Sequence, residues 1–144
     1  MKTALAQADT AALADEVEQI VMSTPVVDIH THLYDPAFEG LLLWGIDELL
    51  VYHYLVAEAF RYLEIPYEQF WSLSKTRQAE LIWDELFVKH SPVSESCRGV
   101  LTTLQLLGLD VKKRELPALR RWFAGQDVRQ HVTRCFELAG LKKA

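Results

Sequence analysis

Cysteine is scarce in this sequence, with two residues, Cys97 and Cys135, standing far apart in stretches of helical pattern. Isolated thiols of this kind favour free, buried side chains in a reducing compartment over a disulfide framework. Long apolar runs are missing too, and none approaches the roughly 20 residues that a membrane-spanning helix needs. The opening stretch carries one Lys and then Asp9, Asp15, Glu16 and Glu18. A secretory signal would need an apolar core there, so none is expected. Basic patches are also absent. The formal net charge is -5, and Lys112, Lys113 and Arg114 make only a local solvated stretch. Nucleic acid and membrane are therefore not the expected partners, and the expected setting is the cytoplasm.

No repeat, low-complexity segment or linker divides the chain. With 144 residues and 50% of them hydrophobic, it can bury a core of its own as a single domain. Most of it has helical spacing. Leu13, Val17, Ile20 and Val21 predict a first helix that stops near Ser23, Thr24 and Pro25. Asp47 is placed to cap a long helix through "ELLVYHYLVAEAFRYL", ended by Pro66, and "PYEQFWSL" reads as a short helix opened by its proline. Ala79, Ile82, Trp83, Leu86 and Phe87 mark the next amphipathic helix. Ser91-Pro92 is a cap and first-turn pair. It predicts a helix with Val93, Cys97, Val100, Leu101 and Leu104 inward, closed by Gly108. A short helix follows from Pro117 to Phe123, ending at Gly125. The last is capped by Asp127, with Val128, Val132, Cys135 and Phe136 inward and Gly140 beyond its end.

One stretch resists the helical reading. "VVDIHTH" is short, β-branched and bounded by Pro25 and by Asp35-Pro36, which predicts a strand. Alternation then puts Val26, Asp28, His30 and His32 on one face. Two imidazoles at the carboxyl end of a strand match both the place where parallel α/β folds keep their chemistry and the donor type that zinc prefers. The bland alternative is a pair of partly exposed histidines on an edge strand, which needs no metal.

The other chemistry-bearing side chains have structural readings. His90, at a helix end, suits capping. His131 is expected to be solvated. Trp44, Trp71, Trp83 and Trp122 are packing residues, although Trp44 could line a pocket. Asp47 and Glu48 fit a helix start better than a carboxylate pair.

A lone strand cannot pair with itself, and "GLLLWG" is a weak candidate partner. The expectation is therefore the front piece of something longer. "PVVDIHTHL", then "DELLVYHYLVAEAFR" and "LIWDELFVKHSPVSESCRGVLTTLQLLGL", resemble the N-terminal part of the uronate (glucuronate) isomerases of the amidohydrolase superfamily. The resemblance runs from about Thr24 to Gly140.

It implies a mostly α chain with a single clear β-strand, the N-terminal portion of a (β/α)8 TIM barrel with a helical insertion after strand 1. On that scheme residues 1–24 are an N-terminal helix, 25–34 the first barrel strand, and 35–144 the insertion and first barrel helix. It implies a divalent metal cofactor, zinc above all, held by His30 and His32. It implies a uronate substrate near His53 and Tyr54. Arg61 stands either for the arginine that holds the sugar acid's carboxylate or for a surface arginine at a helix end. The activity implied is aldose–ketose isomerisation, with the catalytic base and the remaining metal ligands absent here and the chain alone inactive. An amidohydrolase-type hydrolase fragment and a standalone helical binding domain remain as alternatives. An uncovered strand edge also makes self-association an expectation.

Overall fold

The computed structural model describes residues 2–30 and 44–143, with side chains from Thr10 onward. The described residues form eight α-helices, a π-helical turn, a 3-10 turn and two short strands. The chain divides into two compact units, Met1–His32 with Arg129–Ala144, and Leu33–Val128.

The first unit contains α1 (Lys2–Ser23), β1 (Val26–Val27), most of α8 (Val128–Leu138) and β2 (Leu141–Lys143). Helix α1 ends where the sequence predicts. The Thr24 hydroxyl donates to the Ile20 carbonyl at 2.6 Å, and Pro25 supplies no further N–H. Strands β1 and β2 are parallel, with Val26 opposite Leu141 and Val27 opposite Lys143. The Val26 N–H donates to Gly140 at 2.9 Å and the Asp28 N–H to Lys143 at 2.8 Å. The expectation of a single strand is thus corrected. "LKK" is too short and too polar to read as a strand by itself, and only pairing with β1 defines it. A parallel pair cannot be closed by a hairpin, so the intervening helices form its crossover connection.

The second unit is helical: α2 (Ile46–Leu50), α3 (His53–Ala59), α4 (Tyr67–Ser72), α5 (Lys75–Trp83), the π turn Asp84–Lys89, α6 (Glu95–Leu106), the 3-10 turn Val111–Lys113 and α7 (Leu116–Ala124). Its core gathers Leu50, Ala59, Phe70, Ala79, Ile82 and Leu104, all fully buried. Trp83 stacks on Phe87 at 4.8 Å and donates its indole N–H to the Arg114 carbonyl at 3.2 Å.

The caps of two helices differ from the sequence pattern. The long helix expected from Asp47 to Pro66 is two helices, broken where Tyr52 is extended (φ -70, ψ 140). In one continuous helix the buried pair Ile46 and Leu50 would face roughly 200° away from Leu55, Val56 and Ala59. The break turns both stripes onto one core. Asp47 is accordingly inside the first turn of α2, whose cap is Gly45 at φ 98. Helix α6 begins later than Ser91-Pro92 suggests. Its cap is Ser94, whose hydroxyl accepts from the Cys97 N–H at 3.1 Å, and Val93 is exposed. At the other end, the Leu109 N–H reaches Leu104 O at 3.0 Å and the Gly108 N–H reaches Gln105 O at 2.9 Å. Gly108 at φ 83 makes this left-handed closure without strain.

Arg120 of α7 joins three segments. It donates to Asp47 of α2, to Glu80 of α5 and to the Thr76 carbonyl, each at 2.9 Å. Glu80 also accepts from Arg77 at 2.9 Å. Hydrogen bonds from Arg77 first and then Arg120 hold the Glu80 carboxyl below its usual range. A depressed carboxylate contributes stability above the ordinary Glu value, about 4.3. That contribution is lost as pH falls through the lower folded-state value. Glu80→Gln is therefore expected to lower stability at neutral pH and to flatten its acid decline. Urea unfolding between about pH 3 and 7 reads this, and identical pH slopes for the two proteins would refute it.

Candidate functional site

Each expected site residue has a distinct setting. His30 lies in the first unit, in the bend that follows β1. The strand does not run through to it, because the Asp28 carboxylate accepts the His30 N–H at 2.9 Å and turns the chain out of the ladder. His30 is exposed at that turn, and the neighbouring Ile29 is 96% exposed. His32 lies outside the described residues, as do 31–34 of the expected strand and most of "GLLLWG". Among the described residues, no three of His, Cys, Asp and Glu come together in a way that could hold a metal ion.

His53 and Tyr54 lie in the second unit and open α3, both exposed. Their rings are 4.2 Å apart, and Tyr52 lies 4.2 Å from His53 and 5.5 Å from Tyr54, so the three rings form a cluster. The break at Tyr52 is what gathers these three rings at one helix end. Arg61 is not gathered with them. It follows the opposite end of α3, where its N–H donates to Glu58 O at 3.0 Å. The six residue steps of α3 from His53 to Ala59 span roughly 9 Å along the axis, and Arg61 lies in the exposed turn beyond that end.

The inner face of α3 is fixed by more than apolar packing. Glu58, half-buried, accepts the Ser94 hydroxyl proton at 2.7 Å. The same Ser94 oxygen accepts from the Cys97 N–H as the cap of α6. One serine therefore ties the start of α6 to the helix that carries His53 and Tyr54. The sequence reading missed this pair. The available signal was "SESC", in which Ser94 precedes the Cys97 N–H by the spacing a cap requires.

Other reactive groups have structural roles. Burial pushes the Cys97 thiol up, so it is held as a thiol beside Glu58. His131 is not solvated as the sequence suggested: its Nε2 lies 3.4 Å from Cys135 Sγ on α8. Burial pushes His131 down and Cys135 up. The two stay neutral, which is the opposite of a thiolate–imidazolium nucleophile. His90 donates from Nδ1 to the Glu85 carbonyl at 2.9 Å and stacks on Tyr62 at 4.0 Å, as expected of a capping residue. Trp44 meets Phe123 edge-on at 5.8 Å and lines a surface pocket with Asp47 and Arg120. The Arg120 guanidinium there is already committed to Asp47 and Glu80.

No protein-family model matches the chain, and no curated protein does. A crystal structure of a uronate isomerase from Bacillus halodurans C-125 matches at 52% sequence identity and a TM-score of 0.87, over 91% of this chain. By sequence and by fold, this chain matches a segment of a uronate isomerase. It spans 31% of the length of that relative. At this identity the resemblance read from "PVVDIHTHL" and the helical segments is a property of the whole matched stretch, not of a short motif.

Ser94→Ala removes a helix cap and a charge-assisted hydrogen bond together, for an expected loss of about 1–2 kcal/mol. Ser94→Thr, which keeps the hydroxyl, is expected to retain most of it. Urea unfolding of both variants measures the difference, and equal losses would show that the hydroxyl is not what matters.

Proposed function

We propose that this chain supplies the N-terminal part of a metal-dependent uronate isomerase barrel. The observation that carries the reading is the 52% identical match, at a TM-score of 0.87, to one segment of such an enzyme. The parallel pairing of β1 with β2 across a helical crossover agrees with the opening of a (β/α)8 barrel, in which β1 is strand 1 and the helices between are an insertion.

His30 and His32 are the metal ligands in this reading. His30 fits as a donor: its imidazole is exposed where the chain leaves β1, and Asp28 fixes the backbone at that point. Two imidazoles are a partial set, since catalytic zinc usually has three protein ligands. A divalent ion, zinc in the first instance, would supply Lewis-acid polarisation of the sugar's oxygens. His53 and Tyr54 lie beside the uronate in this reading, with Tyr52 completing their aromatic cluster. Arg61, in the turn beyond the far end of α3, stands apart from His53 and Tyr54 and would have to reach the carboxylate from there. The reaction moves a proton between neighbouring carbons of the sugar, and the base for it lies outside this chain. The isolated 144-residue chain is therefore inactive.

A chimera tests this directly. In the Bacillus halodurans enzyme, the matching segment is replaced by this chain, and conversion of glucuronate to its ketose is followed. Turnover is expected, with a fall of about a hundredfold or more in His30→Ala or His32→Ala; even supporting residues around a metal are worth 10–100-fold. Metal content of the purified chimera is expected to fall in the same variants. A folded chimera without turnover, or one indifferent to both histidines, refutes the reading.

Calorimetric titration of the isolated chain with zinc provides a second check. Binding that disappears in the double variant His30→Ala, His32→Ala is expected. Equal heats for the two proteins would remove the histidine pair as a preformed half-site.

A further inference from the structure

One cavity of the second unit combines an apolar lining with cations that have no counter-ion. Its volume is about 270 Å³. Trp83, Phe87, Pro92, Leu101 and Val111 supply the apolar lining, and Lys112 and Arg114 complete it. The stacked Trp83 and Phe87 rings are buried, whereas both cations are exposed. Phe87 belongs to the π turn Asp84–Lys89, an uncommon geometry that often accompanies a functional site.

The backbone holds Arg114 at this cavity. Arg114 has φ 50, a left-handed conformation that side-chain-bearing residues rarely adopt. The buried Trp83 indole N–H donates to its carbonyl at 3.2 Å, tying the strained residue to the aromatic lining. Strain of this kind persists where the surroundings over-determine it, and it clusters at ligand clamps. Among the described residues the guanidinium makes one long hydrogen bond, 3.4 Å, to the Val88 carbonyl. Neither Arg114 nor Lys112 forms an ion pair among those residues. The nearby Asp110 carboxylate caps the 3-10 turn through the Lys112 N–H at 3.0 Å and is not part of the lining. The pocket at Arg120 differs, because that guanidinium is neutralised by Asp47 and Glu80.

We propose that this cavity binds a small organic acid with an apolar body and one carboxylate. The aromatic and aliphatic lining receives the body. Lys112 and Arg114 receive the carboxylate through charge-assisted hydrogen bonds. Cavities for drug-sized ligands run from roughly 300 to 1,000 Å³, so the occupant is no larger than an arylalkanoic acid such as hydrocinnamate. A uronate does not suit the site, since its hydroxyls would lie unpaired against apolar walls. Every lining residue belongs to the second unit, so the inference is independent of the metal site proposed at His30 and His32.

The test is titration of the isotope-labelled 144-residue chain with hydrocinnamate, read by NMR at the Trp83 indole N–H and the Arg114 amide. Saturable shifts at both signals are expected. The neutral amide of the same acid should bind about fivefold or more weakly. Arg114→Gly removes the guanidinium and relieves the left-handed backbone, so the variant keeps its fold. It and Lys112→Gln should each weaken binding about fivefold or more. Lys113→Gln, outside the lining, should leave the affinity unchanged. Near-ultraviolet circular dichroism confirms that the aromatic core of each variant is intact. The absence of saturable shifts overturns the proposal. So does equal affinity for the amide, for glucuronate or for inorganic phosphate, or an equal loss in Lys113→Gln. Shifts at Trp83 that follow protein concentration without ligand would assign the cavity to a second copy of the chain and overturn it as well.

Discussion

The helical unit rests on one packing constraint: two apolar stripes that a continuous helix would point in opposite directions must meet a single core. Ile46 and Leu50 face that core from α2, and Leu55, Val56 and Ala59 face it from α3. The extended Tyr52 between them reconciles the two at the expense of a few helical hydrogen bonds. Much follows from that break. It exposes His53 and Tyr54 at the start of α3 and stacks Tyr52 against them. It also presents Glu58 to Ser94, so the cap of α6 and the orientation of α3 become one structural unit. Arg120 does the same work on the other side, holding α7 to α2 and α5 through two carboxylates and a carbonyl.

A different constraint governs the first unit. Parallel strands need a crossover and cover on both faces. The crossover is present as the helices between β1 and β2, but Val26 and Val27 remain exposed. The first unit thus has the architecture of a sheet that expects more neighbours, while the second buries a core of its own. The matched uronate isomerase is similar over 91% of this chain, which spans 31% of its length.

The side chains proposed for function are distributed between both units. His30, the proposed donor, stands at a turn made by Asp28, and the aromatic cluster of Tyr52, His53 and Tyr54 stands at a helix start made by Tyr52. In each case a local backbone feature, an Asx-type turn in one and a helix break in the other, sets where the side chain emerges. The thiols and the remaining histidines are engaged in structure: Cys97 beside Glu58, Cys135 beside His131, and His90 between the Glu85 carbonyl and Tyr62.

The sequence by itself determined the local features. Pro25, Gly108 and Gly140 mark helix ends because a missing N–H or a left-handed backbone acts within one or two residues. The apolar spacing of Ala79, Ile82, Trp83, Leu86 and Phe87 identified a core face, since helical periodicity is written along the chain. The family resemblance was legible too, because it is carried by residue order. Only the tertiary structure decided the rest. Whether Ser91 or Ser94 caps α6 depends on Glu58, which is 36 residues from Ser94 in sequence. Whether "LKK" is a strand depends on β1, more than a hundred residues earlier by the residue numbering. Whether α2 and α3 are one helix depends on the position of a core to which both must turn. These outcomes are set by partners distant in sequence, and the energy that decides them comes from contacts that exist only once the chain has folded.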